Sequence, residues 1–410
     1  MKKEVERVNL LSIFDFALQS VRGRSAVSRY LTEQKIKSGP IAILAIGKAA
    51  FSMLEGAVDI LGPGISRSLL ITKDGHLGDI SAIPNLETQL AAHPVPDERS
   101  LHAGNRLVDW LSALPLDLPL LVLISGGASS LVEKLPEGLS LSDIQRLNQW
   151  LLSSGLRIEE MNTIRRSISL IKGGRLLGVM GDRKITQLLI SDVPGDDPAI
   201  IGSGLLVKGR EAPVTIGLPE WLIDMQQLAD KSIKHYSQVR QNIQTAIVAS
   251  NKIACEAARQ KASECGYPSK IMATNLDGDV HDCAESISNY LNTAEAGCYI
   301  WGGETTVQLP AAPGRGGRNQ QLALLLAEKI QGQSDIRILC AGTDGTDGPT
   351  EDAGALIDGE TVKRGQLEGL DVHHALASAD AGSFLAASGD LINTGPTGTN
   401  VMDLVMALKA

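Results

Sequence analysis

The sequence predicts an α/β protein of two domains, and three observations lead there. At 410 residues the chain is longer than one hydrophobic core normally serves. Its first half alternates short continuous apolar runs with helix-like runs, the pattern of parallel strands covered on both faces. After residue 297 the apolar runs shorten and glycine turns multiply, as in a smaller mixed sheet. The expected architecture is an N-terminal Rossmann-like domain over 1–235, a mostly parallel sheet flanked by helices. A smaller C-terminal α/β domain with a mixed sheet is expected over 236–410.

The opening run MKKEVERVNLLSIFDFALQSV sets Glu4, Glu6 and Asp15 among apolar residues. That makes an amphipathic helix and not the apolar centre of a signal peptide. IAILAI (41–46), SLLIT (68–72), LPLLVLI (118–124) and TQLLI (186–190) are short and apolar enough for buried strands. Helical runs at 48–60, 99–113, 141–155 and 158–170 supply the crossovers that parallel strands need. From 205 to 244 the periodicity fades around Pro213 and Pro219, so a domain connection is placed there. TAIVASN (245–251) and KIMATN (270–275) resume the alternation. The last strand, near 401–408, is assigned to the second domain, with a return to the first as the alternative.

A hydrophobic share of 43% and a charged share of 21% are those of a soluble globular chain. No run approaches the roughly 18 apolar residues of a membrane span. The net charge of -9 and the aromatic share of 3% argue against a nucleic-acid surface, which needs cations for phosphates and rings for bases. The cysteines (Cys255, Cys265, Cys283, Cys298 and Cys340) are odd in number and form no CxxC pair. Reduced thiols and a cytoplasmic setting are therefore expected. Neither nucleic acid nor membrane is an expected partner, and the oligomeric state stays open, a homodimer included.

Three glycine clusters crowd residues 299–350: YIWGGETT, PGRGGRNQQLAL and CAGTDGTDGPT. In the middle one, Gly314, Gly316 and Gly317 surround Arg315 and Arg318, and a helix-forming run starts at Asn319. Glycine lets backbone approach a ligand, a helix N-terminus favours an anion, and arginine offers a planar fork to phosphate or carboxylate. Glu304, Asp344 and Asp347 flank this basic loop with carboxylates suited to a metal. Together they point to an enzyme acting on a phosphorylated or acidic small molecule. TDGTDGPTEDAG (343–354) is no EF-hand, because the glycine pattern and the twelfth-position glutamate are missing.

The first half offers further candidates, each with a plainer alternative. AIGKAA (45–50) ends a strand at Gly47 and opens a helix at Lys48. It is not a Walker A loop, which needs GxxxxGK[ST], so Lys48 is either an anion binder or an ordinary lysine of a βα turn. LVLISGGASSLVEKLP runs a buried strand into Ser125, Gly126, Gly127, Ala128, Ser129 and Ser130, where open α/β sheets bind ligands. A tight turn capped by serines is the alternative. In IEEMNTIRRSISLIKGGRLL (158–177), Asn162, Arg165 and Arg166 lie three or four apart, with Lys172 and Arg175 beyond. There the alternative is a solvated helix face.

LLISDVPGDDPAIIGSG (188–204) ends a strand at Asp192, with Asp196 and Asp197 close behind. Such carboxylates hold metal in phosphoryl transfer, although Pro-Gly-Asp-Asp is also strong turn chemistry. INTGPTGTNVMDLV (392–405) closes the chain with Thr397, Asn400 and Asp403 in a turn that reads as ligand-facing. Of the seven histidines only His93, in AAHPVPDE, falls in such a segment, so general-base roles go to carboxylates or Lys48.

Together these blocks resemble the glycerate 2-kinase family, the MOFRL-type glycerate kinases, some of whose members carry the name hydroxypyruvate reductase. The resemblance runs in the family's order from GKAA (47–50) to TGPTGTN (394–400). It passes through SGGASSL, KGGRL, SDVPGD, GGETTV, GRGGRNQ and TDGTDGPT. It implies a two-domain enzyme with its active site in the cleft between domains. Such enzymes phosphorylate D-glycerate to 2-phosphoglycerate with ATP and Mg²⁺ or another divalent cation. Lys48 and Arg318 carry over as catalytic candidates, from GKA and GGRNQ.

The remaining matched positions receive proposed roles. Ser125, Gly126, Gly127, Ser129, Asn162, Arg165, Lys172, Glu304, Asn319, Thr397 and Asn400 are assigned to substrate or nucleotide, and Asp192, Asp196, Asp344 and Asp347 to metal. The chain departs from the family after SDVPGDDPAIIGSG, where Leu205-Leu206-Val207-Lys208 replaces a Pro-Thr and an acidic segment. It departs again at ADAGSFLA (379–386), which lacks an amide that the family usually carries there.

Two rival activities fit less well. A hydroxypyruvate reductase using a nicotinamide cofactor needs GxGxxG between strand and helix, whereas AIGKAA has one glycine. A non-catalytic sensor of a sugar phosphate would use the Gly-Ser loop but has no need of clustered carboxylates.

Overall fold

A computed structural model describes residues 2–36, 39–210, 212–233 and 242–410. The chain forms two compact units, one of Gly23–Val248 and one of Met1–Arg22 with Ala249–Ala410. The boundary expected at 235/236 lies outside the described residues. The amphipathic helix Lys2–Val21 belongs to the second unit, although the sequence grouped it with residues up to 235. Its stripe Leu10, Ile13, Phe14, Ala17, Leu18 and Val21 is fully buried, spaced three and four apart as one helix face requires. Glu6 on the same helix forms a buried ion pair with Arg337, Nη1 to Oε2 at 2.5 Å.

The first unit holds six strands: β1 (Ile41–Ile46), β2 (Ile65–Lys73), β3 (Leu86–Ala91), β4 (Leu120–Ile124), β5 (Lys184–Ile190) and β6 (Asn242–Ala249). Their order, β3-β2-β1-β4-β5-β6, is that of doubly wound dinucleotide-binding sheets, and the pairs from β3 through β5 are parallel. Strand β4 is buried at all five positions, as its unbroken apolar sequence demands. Strand β3, LETQLA, escaped the sequence reading because it is a half-exposed edge strand with polar alternation. The helical run read over 158–170 ends at Ser167, since Ser169 and Lys172 turn inward to Glu133. The stretch read as a connection contains the helix Glu220–Ile233, whose Leu222 and Met225 join Leu147, Leu151 and Ile164 in a satellite core.

The second unit is a mixed sheet of β7 (Ser269–Leu276), β8 (Gly297–Gly303), β9 (Ile336–Gly342), β10 (Gly354–Asp358), β11 (Leu391–Ile392) and β12 (Asp403–Lys409). The order is β11-β10-β9-β12-β8-β7; β7 and β8 run parallel and every other pair antiparallel. The terminal strand therefore does not return to the first sheet. It is inserted between β8 and β9, where Leu404–Leu408 are buried on both faces. This register sets Asp403 opposite Gly303 on one side and Gly342 on the other. The carboxyl ends of β8 and β9 thus meet the amino end of β12.

Candidate active site

In the first unit the candidates gather at the carboxyl ends of parallel strands, the edge where such sheets bind ligands. Lys48 follows β1; its N–H donates to the Gly126 carbonyl at 2.9 Å, and its carbonyl meets Nδ1 of His76 at 2.8 Å. Ser125, after β4, is buried, and its hydroxyl accepts the Ala49 N–H at 3.0 Å. Ser129 bonds Ser203, Oγ to Oγ, at 2.8 Å. Both hydroxyls are thus engaged in holding turns together, while Gly126 is buried and Gly127 is partly exposed. A Cβ on Gly126 would overlap the carboxylate of Asp192, after β5. A Cβ on Gly127 (φ +87°) would press on the ring of His93 and the stem of Lys48. Only glycine permits this convergence of Lys48, His93 and Asp192 on one turn.

The electrostatics follow from that crowding. Burial raises the Asp192 carboxyl above the usual carboxylate range, with the charge of Lys48 opposing the shift. Burial also lowers His93 from its ordinary 6.5 to about 4, helped by the positive charges of Lys48, Lys73 and His76. His93 is therefore a neutral imidazole at physiological pH. The half-buried ammonium of Lys48 makes no hydrogen bond or ion pair among the described residues.

The other first-unit candidates stand differently. Lys172 is buried in an ion pair with Glu133, Nζ to Oε2 at 2.5 Å, while the other Glu133 oxygen accepts the Ser169 hydroxyl at 2.6 Å. Arg165 donates to Asn148 at 3.3 Å and to Asn162 at 3.4 Å along half-buried helix faces. Asp196 sits in the turn after Pro194 at φ 55°.

In the second unit Arg318 is the first residue of the helix Arg318–Lys329. Its Nε and Nη2 form a fork on Asp403, at 2.6 Å to Oδ2 and 3.0 Å to Oδ1. Its Nη1 meets Oε1 of Glu304, the residue after β8, at 2.7 Å. The Asp403 side chain is 6% exposed and that of Glu304 44%, so the first partner is internal and the second faces water. Burial pushes the Asp403 carboxyl up, and Arg318 partly reverses the shift.

The helix N-terminus is not an open anion cradle, contrary to the sequence expectation. Asp347 already fills it: Oδ1 accepts the Asn319 N–H at 3.0 Å and Oδ2 the Gln320 N–H at 2.7 Å. Gly317 is required just before the helix because a Cβ there would overlap the Asp347 carboxylate. Burial raises Asp347 from 3.8 to about 6; the two backbone N–H groups oppose that rise and Asp403 adds to it. Asn319 is buried and its Nδ2 also donates to Asp347, at 3.3 Å.

Asp344, after β9, is half-buried, and one oxygen accepts the N–H and hydroxyl of Thr346 at 3.1 Å. Thr397 is buried and donates to the Thr343 carbonyl at 2.6 Å; Asn400 accepts the Met402 N–H at 3.2 Å. The terminal glycine turn is thus tied to the end of β9. Among the described residues no group of three or more His, Cys, Asp or Glu side chains is arranged to hold a metal ion.

Two family models match the chain: Domain of unknown function (DUF4147) over residues 9–216, and the MOFRL family over 297–403. The D-glycerate 2-kinase of Thermotoga maritima is 35% identical over 393 residues, covering 92% of this chain and 92% of its own length. The chain belongs to the glycerate 2-kinase family. A crystal structure of a glycerate kinase from T. maritima matches with a TM-score of 0.90 at 32% identity, covering 99% of this chain and 100% of that one. Another relative, from Agrobacterium vitis, bears the provisional name hydroxypyruvate reductase. It is 35% identical over 414 residues, 96% of this chain and 92% of its own.

Of this member of the glycerate 2-kinase family, the first matched stretch contains Lys48, the 125–127 turn and Asp192. The second contains Glu304, Arg318, Asp344, Asp347 and Asp403. Asp403 and His93 are named in the sequence but receive no role there, and the fold sets them beside Arg318 and the Gly127 turn. For Asp403 a signal existed, since a carboxylate opening the buried strand DLVMALK requires a partner. For His93 the neighbours were hidden because β3, which precedes it, is not legible as a strand.

Proposed function

We propose that this chain transfers the terminal phosphoryl group of ATP to the 2-hydroxyl of D-glycerate. The observation that carries the reading is the Lys48 ammonium, half-buried and without a partner among the described residues, beside the Gly126–Gly127 turn. Asp192 lies near enough for the two charges to act on each other but forms no ion pair with Lys48, so the ammonium's donors stay open to a phosphate. The whole-chain likeness to glycerate kinases narrows the acceptor to a small hydroxy acid.

Phosphoryl transfer asks of the protein position and charge more than covalent chemistry. Lys48 neutralises charge on the transferring group. Gly127, partly exposed and without a side chain, lets phosphate oxygens come close to the turn beside Lys48. Arg318, oriented by Asp403, anchors the substrate carboxylate.

A divalent cation fits this donor set in one form. Mg²⁺ commonly keeps several waters and phosphate oxygens and takes only one or two protein carboxylates. Asp192 in the first unit and Asp344 in the second are separate candidates to hold it, since both oxygens of Asp347 accept helix N–H groups and both of Asp403 hold Arg318. Held by either carboxylate, the ion would offset the charge of the nucleotide phosphates. A cytoplasmic setting belongs to the same proposal and rests on the five free thiols.

The test is a coupled assay with D-glycerate, ATP and Mg²⁺ that detects ADP and identifies the phosphorylated carbon. 2-Phosphoglycerate is expected, with Lys48→Ala lowering kcat by about 10² to 10³-fold, as loss of a preorganised charge does elsewhere. NADH consumption with hydroxypyruvate and no ADP formation would replace the kinase reading with the reductase one.

A further inference from the structure

Arginine carries five N–H groups on two usable edges. Asp403 takes the Nε–Nη2 edge of Arg318 and is 6% exposed, so it stays with the arginine. Bidentate capture of a carboxylate then falls to the Nη1–Nη2 edge. Glu304 already touches that edge, through Nη1 at 2.7 Å.

Glu304 differs from Asp403 in what holds it. Its N–H is bonded to the Leu276 carbonyl at 2.8 Å, so the backbone is fixed, while its carboxylate is 44% exposed. A partly exposed ion pair is weak. Asp344, Asp347 and Asp403 lie close to the same arginine or to one another, so an incoming carboxylate meets an acidic surrounding. Removal of the Glu304 carboxylate from the contact lowers that opposition.

We infer that Glu304 is an internal competitor for the substrate's carboxylate: it occupies one donor of the Arg318 edge that the substrate takes, and it must yield on binding. The inference rests on the reading of Arg318 as the carboxylate anchor. It makes Glu304 a determinant of affinity and selectivity for monocarboxylate hydroxy acids. A substrate lacking the carboxylate has no means to displace it.

The test is calorimetric binding of D-glycerate, without nucleotide, to the full chain and to Glu304→Gln, Glu304→Asp and Arg318→Ala. Both Glu304 variants are expected to bind D-glycerate about three- to tenfold more tightly, the scale of an exposed ion pair removed. Neither is expected to change the binding of D-glyceraldehyde, which lacks the carboxylate. The aspartate variant keeps the charge but shortens the reach, so it separates competition for the contact from a general charge effect. Arg318→Ala should weaken D-glycerate binding at least tenfold. If it does so while either Glu304 variant binds D-glycerate no more tightly than the parent chain, the competition is refuted and the anchor stands. If Arg318→Ala leaves binding unchanged, the anchor reading fails and the inference falls with it.

Discussion

Replacing Asp347 by asparagine probes how the helix that carries Arg318 is started. The carboxylate accepts two backbone N–H groups, at 3.0 and 2.7 Å. The amide keeps one acceptor and turns a donor toward the other N–H. That loses one charge-assisted hydrogen bond, about 1.5–3 kcal/mol, and a negative charge at the helix N-terminus, about 0.3–1 kcal/mol. Burial outweighs both, since it lifts Asp347 from 3.8 to about 6 with the two N–H groups already opposing it. The shift is thus net of the caps, and at neutral pH it amounts to roughly 3 kcal/mol favouring a neutral group. Asp347→Asn is therefore expected to raise stability at neutral pH, by up to about 3 kcal/mol.

The pH dependence is the sharper signature. Because the folded pKa is raised, the stabilising contribution of protonation is fully present below 3.8 and lost as pH rises through about 6. Between those values the folded chain binds a proton that the unfolded chain does not. The parent chain should accordingly gain stability relative to Asp347→Asn on acidification from about pH 7 to about pH 4, read as the difference in urea midpoints. Equal pH slopes for the two chains, or a lower stability of Asp347→Asn at neutral pH, would refute the reasoning.

Other perturbations follow from the same geometry. Gly126→Ala drives a methyl group into the Asp192 carboxylate, and kcat/KM for glycerate should fall at least tenfold with the far-ultraviolet spectrum unchanged; an unaltered rate would detach Asp192 from the reaction. Lys172→Met strands the buried Glu133 and should cost about 3–5 kcal/mol, most of it recovered in the double variant Lys172→Met, Glu133→Leu. A single-variant loss below about 1 kcal/mol in urea unfolding would show the pair to be solvated. His93 is depressed to about 4, so its contribution is present above 6.5 and lost as pH falls through about 4. His93→Gln should flatten the acid-side decline in stability across that window, and an unchanged decline would assign it to other groups.

Much of the fold was legible because continuous apolar runs such as IAILAI and LLVLI have no stable place but a covered sheet. The amphipathic start of the chain was legible as a helix, since its apolar stripe recurs every three or four residues. Its allegiance was not: a stripe specifies that a face is buried and leaves open which surface covers it. Strand β3 failed for the opposite reason, being an edge strand whose polar residues hide its pairing.

Among the candidate residues, residue type by itself marked Lys48, Arg318 and the glycine turns, because glycine tolerates such close neighbours and cations suit the phosphate and carboxylate that the proposed reaction involves. Their partners were decided by tertiary structure. Arg318 and Asp403 are 85 residues apart and meet because β12 is threaded between β8 and β9. Asp347 reads as a metal ligand in the sequence and becomes a helix cap when folding brings it to Asn319 and Gln320. A carboxylate's chemistry is local, whereas its job depends on which donors the fold delivers within about 3 Å of it.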